Sequence, residues 1–100
     1  MTALYSLSTD DNGAINVSGE LTFNTVSQIV TVASGLFEKL SNLEIDLVNV
    51  TRSDSAGLAL LVDWVRYAKN TNKNIVFHHM PEQLLALAYA SGLDELLPVN

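Results

Sequence analysis

The segment Arg52-Ser53-Asp54-Ser55-Ala56-Gly57-Leu58-Ala59-Leu60-Leu61 decides the fold, because a strand pattern stops there and a helix pattern begins. Upstream, apolar and acidic residues alternate over positions 43–47, the period of two that is typical of a strand. Downstream, apolar residues recur every three or four positions, at Leu58, Leu61, Val62, Val65 and Ala68. That spacing is typical of an amphipathic helix. The segment therefore predicts a strand, a short polar turn and a long helix.

The polar turn offers three candidates for the helix N-cap, namely Ser53, Asp54 and Ser55. Each carries a side-chain oxygen that can accept a hydrogen bond from the free N–H groups of a first helical turn. Gly57 is unfavourable there, since glycine inside a helix costs up to about 1 kcal/mol relative to alanine. We interpret it as a position where another backbone approaches closely. The segment is either a well-capped turn alone, or a site where Ser55 contacts a partner or accepts phosphate.

Length and composition are typical of a single domain over residues 1–100 with a compact core, since 48% of the residues are hydrophobic. The absence of cysteine excludes disulfides, thiolate zinc sites and cysteine nucleophiles, and it agrees with a reducing compartment. The first residues lack the basic and apolar segments of a secretory signal. The longest uncharged run, 21–37, contains many hydroxyl and amide side chains, which disfavours a membrane span. We expect a cytoplasmic protein that is not inserted in a membrane.

The net charge of −6 disfavours binding to nucleic acid or to an anionic lipid surface. The basic residues are nevertheless concentrated, because four of the five are Arg52, Arg66, Lys69 and Lys73. A locally basic surface on an acidic protein favours an acidic protein partner, and a solvated helix face is the simpler alternative.

The rest of the chain supplies the other elements of the sheet and its helices. Turn residues 10–13 predict an N-terminal hairpin between strands at 3–9 and 15–17, and Gly19 is expected to end the second strand. Helical spacing predicts a first helix from Asn24 or Thr25 to about Leu40 and a second one to residue 70 or 71. A strand over 75–79 precedes a helix from Pro81 to Gly92. The order is β-β-α-β-α-β-α, which predicts a mixed sheet.

Three short motifs resemble landmarks of STAS domains, a family that includes bacterial anti-sigma factor antagonists. The segment 54–59, Asp-Ser-Ala-Gly-Leu-Ala, is similar to the family signature at the start of a helix. Ser-Gly-Glu-Leu at 18–21 and Ser-Gly-Leu at 91–93 also resemble family motifs, in the same order along the chain. The resemblance implies the STAS fold, a mixed four-stranded sheet with three to four helices.

Within this family the motifs at 18–21 and 54–61 are most similar to the MlaB type. That resemblance implies a non-catalytic cytoplasmic subunit, peripheral to the inner membrane, in an ABC complex that moves phospholipids and maintains outer-membrane lipid asymmetry in Gram-negative bacteria. The subunit binds the ATPase, and Ser55 matches the hydroxyl residue important for that contact. The alternative is an anti-sigma factor antagonist that binds a serine kinase and is switched by phosphorylation at Ser55. Ala56 stands where such antagonists usually carry a second hydroxyl, which weakens this alternative.

The expected partner-binding surface combines the turn residues Asp54, Ser55, Ala56 and Gly57 with an apolar patch on the second helix. The patch residues are Leu60, Trp64 and Tyr67. They lie beyond the core-facing stripe on a helical wheel, so they are either exposed for a partner or packed against a neighbouring helix.

Catalysis and metal binding are disfavoured by the sequence. Ser55 is not part of a nucleophile elbow, which argues against a hydrolase that uses His78 or His79 as its base. Adjacent histidines on a strand should point to opposite sides, so these two should not bind one metal ion. We expect no cofactor and no metal site.

Overall fold

The structure, a computed structural model, describes residues 3–100. Its elements in chain order are β1 (Tyr5–Thr9), β2 (Ile15–Leu21), α1 (Val26–Phe37), β3 (Asn42–Ser53), α2 (Ser55–Asn70), β4 (Asn74–His78), α3 (Glu82–Ala90) and a 3-10 turn (Asp94–Leu96). The predicted order β-β-α-β-α-β-α is confirmed. No helix within residues 3–100 is long and apolar enough to cross a membrane.

The four strands form one mixed sheet in the order β1-β2-β3-β4. β1 pairs antiparallel with β2, whereas β2 with β3 and β3 with β4 are parallel pairs. Connections between parallel neighbours are nearly always right-handed, and a strand order that follows the chain then places the connecting helices on the same face. α2 accordingly contacts both α1 and α3.

The core lies between one face of the sheet and the three helices. The inward strand residues alternate along the chain and are all buried, namely Ile15, Val17, Leu21, Leu43, Ile45, Leu47 and Phe77. Residues that alternate with them, such as Glu44, or that follow them, such as Val48, are exposed on the opposite face. The sheet is therefore covered by helices on one side only.

The second strand continues past Gly19, where the sequence predicts its end. Gly19 has φ +86, and the pairing of β2 with β3 shifts register between it and Glu20. A Cβ at Gly19 would overlap the carbonyl oxygen of Leu4, so the glycine permits a close approach of β1. Pairing then resumes up to Leu21, because β3 extends far enough to pair with it.

The first helix ends at Phe37, earlier than the predicted end near Leu40. The Nζ atom of Lys73 donates hydrogen bonds to the carbonyl oxygens of Phe37 at 2.7 Å and Leu40 at 2.6 Å. A cation at this position adds a donor to carbonyls at the end of the helix and complements the negative end of the helix dipole. Lys73 is distant in sequence, so the periodicity of α1 carries no sign of this contact.

The first turn of α2 packs directly against the end of β2. Gly57 is buried, and a Cβ at this position would overlap the carbonyl oxygen of Leu21. This confirms the interpretation of Gly57 as a place where another backbone approaches closely. The junction therefore tolerates only glycine without a shift of the helix or the strand.

We expect Gly57→Ala to destabilise the protein by about 1–3 kcal/mol, because the added methyl group must displace α2 from β2. At this chain length each kcal/mol lowers the melting temperature by about 4–8 °C, which thermal unfolding followed by circular dichroism measures.

The matched control is Gly35→Ala in α1, where an added Cβ has no neighbour within 4 Å. It is expected to raise stability by up to about 1 kcal/mol through better helix propensity. Similar melting temperatures for the two variants would contradict the proposed close packing at Gly57.

Candidate partner-binding site

The carboxylate of Asp54 joins the loop after β2 to the start of α2, at the carboxyl ends of the two central strands. Its Oδ1 atom accepts hydrogen bonds from the backbone N–H groups of Ala56 at 2.9 Å and Gly57 at 3.3 Å. Its Oδ2 atom accepts one from the N–H of Phe23 at 3.0 Å. Asp54 is therefore the N-cap among the three predicted candidates, and it also fixes the loop between β2 and α1.

That loop, residues 22–25, is held by its own buried hydroxyl groups. The N–H of Thr22 donates to Oγ1 of Thr25 at 3.0 Å, and this hydroxyl donates to the carbonyl of Glu20 at 2.8 Å. Thr25 stands at the N-cap position of α1 without making a side-chain cap bond, because its hydroxyl is used inside the loop. The result is an ordered loop whose Phe23 side chain is 81% exposed.

Ser53 lies behind the turn and links it to α3. Its N–H and its hydroxyl both donate to Oε1 of Gln83, each at 3.3 Å, and the residue is buried. Ser53 is thus an internal anchor, and the structure contradicts its assignment as a possible cap.

Ser55 is the first residue of α2 and is exposed. It lies at the helix end where the dipole is positive, so a partner that accepts hydrogen bonds or carries negative charge is favoured there. Its neighbours are less accessible, because Ala56 is half-buried and Gly57 is buried. Of the predicted turn residues, Ser55 is the one that a partner or a kinase can reach directly.

The expectation of an exposed patch at Leu60, Trp64 and Tyr67 is wrong. Leu60 and Trp64 are only 4% and 5% exposed, and Tyr67 is half-buried. The rings of Trp64 and Tyr67 pack on Phe37 of α1, with centroids 5.2 Å and 5.7 Å away. The alternative, that these residues pack against a neighbouring helix, is confirmed because α1 covers this flank of α2.

An accessible apolar surface lies instead in a groove between α1 and α2, and Ala56, the residue after Ser55, is part of its lining. Its upper part has a volume of about 320 Å³ and is lined by Phe23, Val26, Ser27, Val30, Ala56, Ala59, Leu60 and Asp63. A second part of about 190 Å³ continues along Val30 and Leu60 to Trp64 and Tyr67. We call both parts together the α1–α2 groove. The edges of the predicted patch residues thus contribute to its wall, although their side chains are mostly buried.

Phe23 and Val30 line this groove, although the sequence analysis does not include them among the expected partner-binding residues. Val30 is 48% exposed, whereas its neighbour Ile29 is completely buried. A helical wheel indicates the exposure of Val30, because the buried residues Ile29, Ala33 and Phe37 recur every four positions and Val30 lies beside this stripe. The exposure of Phe23 depends on the loop network and has no such signal.

The two histidines lie on the same open face of the sheet, contrary to expectation. Nε2 of His78 lies 3.2 Å from Oε1 of Glu44, and Nδ1 of His79 lies 2.9 Å from Oδ1 of Asp46. His79 follows the last residue of β4 and has φ +57, which turns it away from the alternation of a strand. No group of three potential metal ligands occurs within the described part of the chain.

The pKa of Asp46 reflects this environment. Burial alone raises the pKa, whereas hydrogen bonds from His79 and from the N–H of Val48, with the charges of His79 and His78, lower it. The second group of effects prevails, so the pKa of Asp46 lies below its usual value of 3.8.

Residues 6–98 match the model of a family described as "Mlab, STAS domain". An anti-sigma-B factor antagonist of Staphylococcus epidermidis is 28% identical over 97% of this chain and 91% of its own length.

Two solved structures of the anti-sigma factor antagonist SpoIIAA share the fold. The unphosphorylated form has a TM-score of 0.71 at 16% identity and covers 96% of this chain and 87% of its own. The phosphorylated form, from Bacillus, has a TM-score of 0.67 at 16% identity and covers 96% and 90%. The predicted fold class, a mixed four-stranded sheet with three to four helices, is confirmed, since the structure has three helices and a final 3-10 turn.

We expect Asp54→Ala to destabilise the protein by about 0.5–2 kcal/mol through loss of the helix cap. Asp54→Asn keeps one oxygen for the helix N–H groups but turns an amide NH₂ toward the N–H of Phe23. Amide hydrogen exchange should therefore accelerate at Phe23 in both variants, with the smaller loss of stability in the asparagine variant. Unchanged protection of the Phe23 amide would contradict the bridging role of Asp54.

The lowered pKa of Asp46 also predicts how stability depends on pH. Ionised Asp46 stabilises the folded state above pH 3.8. This contribution is lost as the pH falls through the lower pKa that Asp46 has in the folded state. In urea unfolding, the difference in free energy of unfolding between wild type and Asp46→Asn should shrink on acidification below pH 3.8. Asp11→Asn, an equal charge change in the hairpin turn, is the control. A wild-type advantage that stays constant down to the lowest pH would contradict the assignment.

Proposed function

The chain belongs to the STAS domain family, and we propose that it is the STAS subunit of an ABC complex that transports phospholipids. In this role the chain is non-catalytic: it binds the ATPase and supports its assembly and activity, and the complex maintains the lipid asymmetry of the outer membrane. STAS domains bind protein partners, so the proposal concerns which partner this chain takes. It would bring the chain to the cytoplasmic side of the inner membrane through that partner.

The observation that carries the proposal is the match of residues 6–98 to the Mlab type of STAS domain. Apart from Tyr5, the first residue of β1, that match spans every strand and helix, including the junction at Asp54 and the α1–α2 groove. The proposal therefore rests on the whole fold and on more than the short signature at the start of α2.

The exposed apolar side chains beside the groove favour a docked protein. Phe23 is a large apolar side chain exposed on a loop that hydrogen bonds hold in place, and Val30 extends the apolar surface along α1. The backbone that carries this side chain is already ordered, which lowers the entropy cost of binding, and aromatic residues are enriched at protein interfaces. We propose that the ATPase covers Phe23 and inserts an apolar side chain into the α1–α2 groove.

Ser55 would contribute the polar part of the same contact. Ser55 is exposed at the positive end of α2 and directly precedes Ala56, which lines the groove, so its hydroxyl can donate to or accept from a partner backbone. A phosphate or a glutamate at this position would add negative charge next to Asp54 and would disturb an acidic partner. The same chemistry would serve a phosphorylation switch.

A second candidate function is that of an anti-sigma factor antagonist controlled by phosphorylation at Ser55. The observation in its favour is the 28% identity, over nearly the full length of both chains, to an anti-sigma-B factor antagonist. The proposed docking site is the same in both cases, so the identity of the partner separates the two functions.

The test is affinity purification of the tagged chain from its own host in mild detergent, followed by mass spectrometry. We expect wild type to recover an ABC ATPase with its permease, and Ser55→Glu to lose them. Ser41→Glu is the matched control, because Ser41 is an exposed serine just before β3, at the other end of that strand. It should retain the partners.

Two further variants test where the partner binds. Phe23→Ala should reduce recovery of the ATPase, whereas Tyr89→Ala should not, although Tyr89 is also an aromatic residue with 77% exposure. Neither variant should lower the melting temperature much, since both side chains lie at the surface. Recovery of a soluble serine kinase without an ATPase would refute the transporter proposal and support the second candidate.

A further inference from the structure

α2 borders a second groove on the flank that faces away from α1. This cavity of about 190 Å³ lies between α2 and the 3-10 turn and is lined by Val62, Val65, Arg66, Lys69 and Leu96. None of these residues lines the α1–α2 groove. We call it the α2–turn groove, and it is a surface separate from the site described above.

The α2–turn groove concentrates positive charge on an acidic protein. The chain has five basic residues and a net charge of −6, yet two of the five, Arg66 and Lys69, line this one cavity. Asp63 lies 3.4 Å from Arg66, but both side chains are more than two-thirds exposed, so this pair contributes little. No acidic residue lines the cavity. Its charges therefore suit an acidic ligand.

The floor of the α2–turn groove is apolar. Val62 and Val65 are half-buried, and Leu96 is 55% exposed although it is a large apolar side chain. The volume is smaller than the roughly 300–1,000 Å³ typical of small-molecule sites. It suits one bulky apolar side chain that projects from a larger partner.

We propose that the α2–turn groove binds an acidic segment of a protein. One apolar side chain of that segment is inserted between Val62, Val65 and Leu96, and neighbouring carboxylates pair with Arg66 and Lys69. The segment contacts the groove locally, so it avoids the acidic remainder of the surface. A flat anionic membrane would also meet the adjacent Asp94 and Glu95 of the 3-10 turn, which disfavours it. The inference does not depend on the proposed function.

The probe is a short synthetic peptide of glutamate and aspartate around one central phenylalanine, titrated into ¹⁵N-labelled protein. We expect amide chemical-shift changes at the five lining residues. The double variant Arg66→Glu/Lys69→Glu should weaken binding at least about tenfold. Lys39→Glu/Arg52→Glu changes the net charge equally outside the groove and should leave affinity close to wild type.

Several outcomes would overturn the inference. Equal weakening of peptide binding in both double variants would mean that only the overall charge matters. Equally tight binding of a peptide without the phenylalanine would refute the insertion of an apolar side chain. No shifts in the groove would exclude the site. Lys69-dependent binding to phosphatidylglycerol vesicles without peptide binding would assign the groove to a membrane instead.

The result of the peptide titration is independent of the test of the proposed function. Ser55→Glu should leave peptide affinity unchanged, because Ser55 does not line the α2–turn groove. Failure to recover the ATPase therefore leaves the peptide result valid, and failure of the peptide to bind leaves the copurification result valid.

Discussion

The hydrogen bonds of one carboxylate, that of Asp54, determine the geometry of the chain where the parallel strands β2 and β3 end. β2 and β3 are parallel neighbours, and their last residues, Leu21 and Ser53, pair with each other. The chain leaves both strands at the same edge, so the loop after β2 and the turn after β3 must share one small space. Asp54 bridges them through three backbone N–H groups, and Gly57 permits the remaining contact with Leu21.

This constraint explains how an exposed site is built from a buried junction. Ser53 is tied to α3 through Gln83, and the β2–α1 loop is tied to itself through Thr22 and Thr25. Thr22, Thr25 and Ser53, whose hydroxyl groups anchor the junction, are buried, whereas Phe23 and Ser55 are exposed. Binding to a surface of this kind carries a smaller entropy cost for ordering the backbone, which favours affinity per unit of buried area.

The sequence predicts the element order, the mixed sheet and the close approach at Gly57, since each depends on local spacing or on one residue type. It leaves the cap open, because Ser53, Asp54 and Ser55 have similar chemistry and only the sheet edge distinguishes them. It fails at Trp64 and Leu60 for a different reason. A helical wheel gives the flank of a residue, but whether a neighbouring helix covers that flank depends on the strand order. The position of His79 likewise depends on its left-handed backbone, which the run 75–79 does not reveal.

The two grooves on either side of α2 are connected by one surface ion pair. Asp63 lines the α1–α2 groove, Arg66 lines the α2–turn groove, and their side chains lie 3.4 Å apart. A ligand that engages Arg66 draws it from Asp63 and leaves that carboxylate free to face whatever occupies the first groove. Exposed pairs are worth about 0.2–1 kcal/mol, so this link changes affinity by at most about fivefold. α2 itself is a rigid helix packed on both sides, and the two surfaces should therefore bind their ligands almost independently.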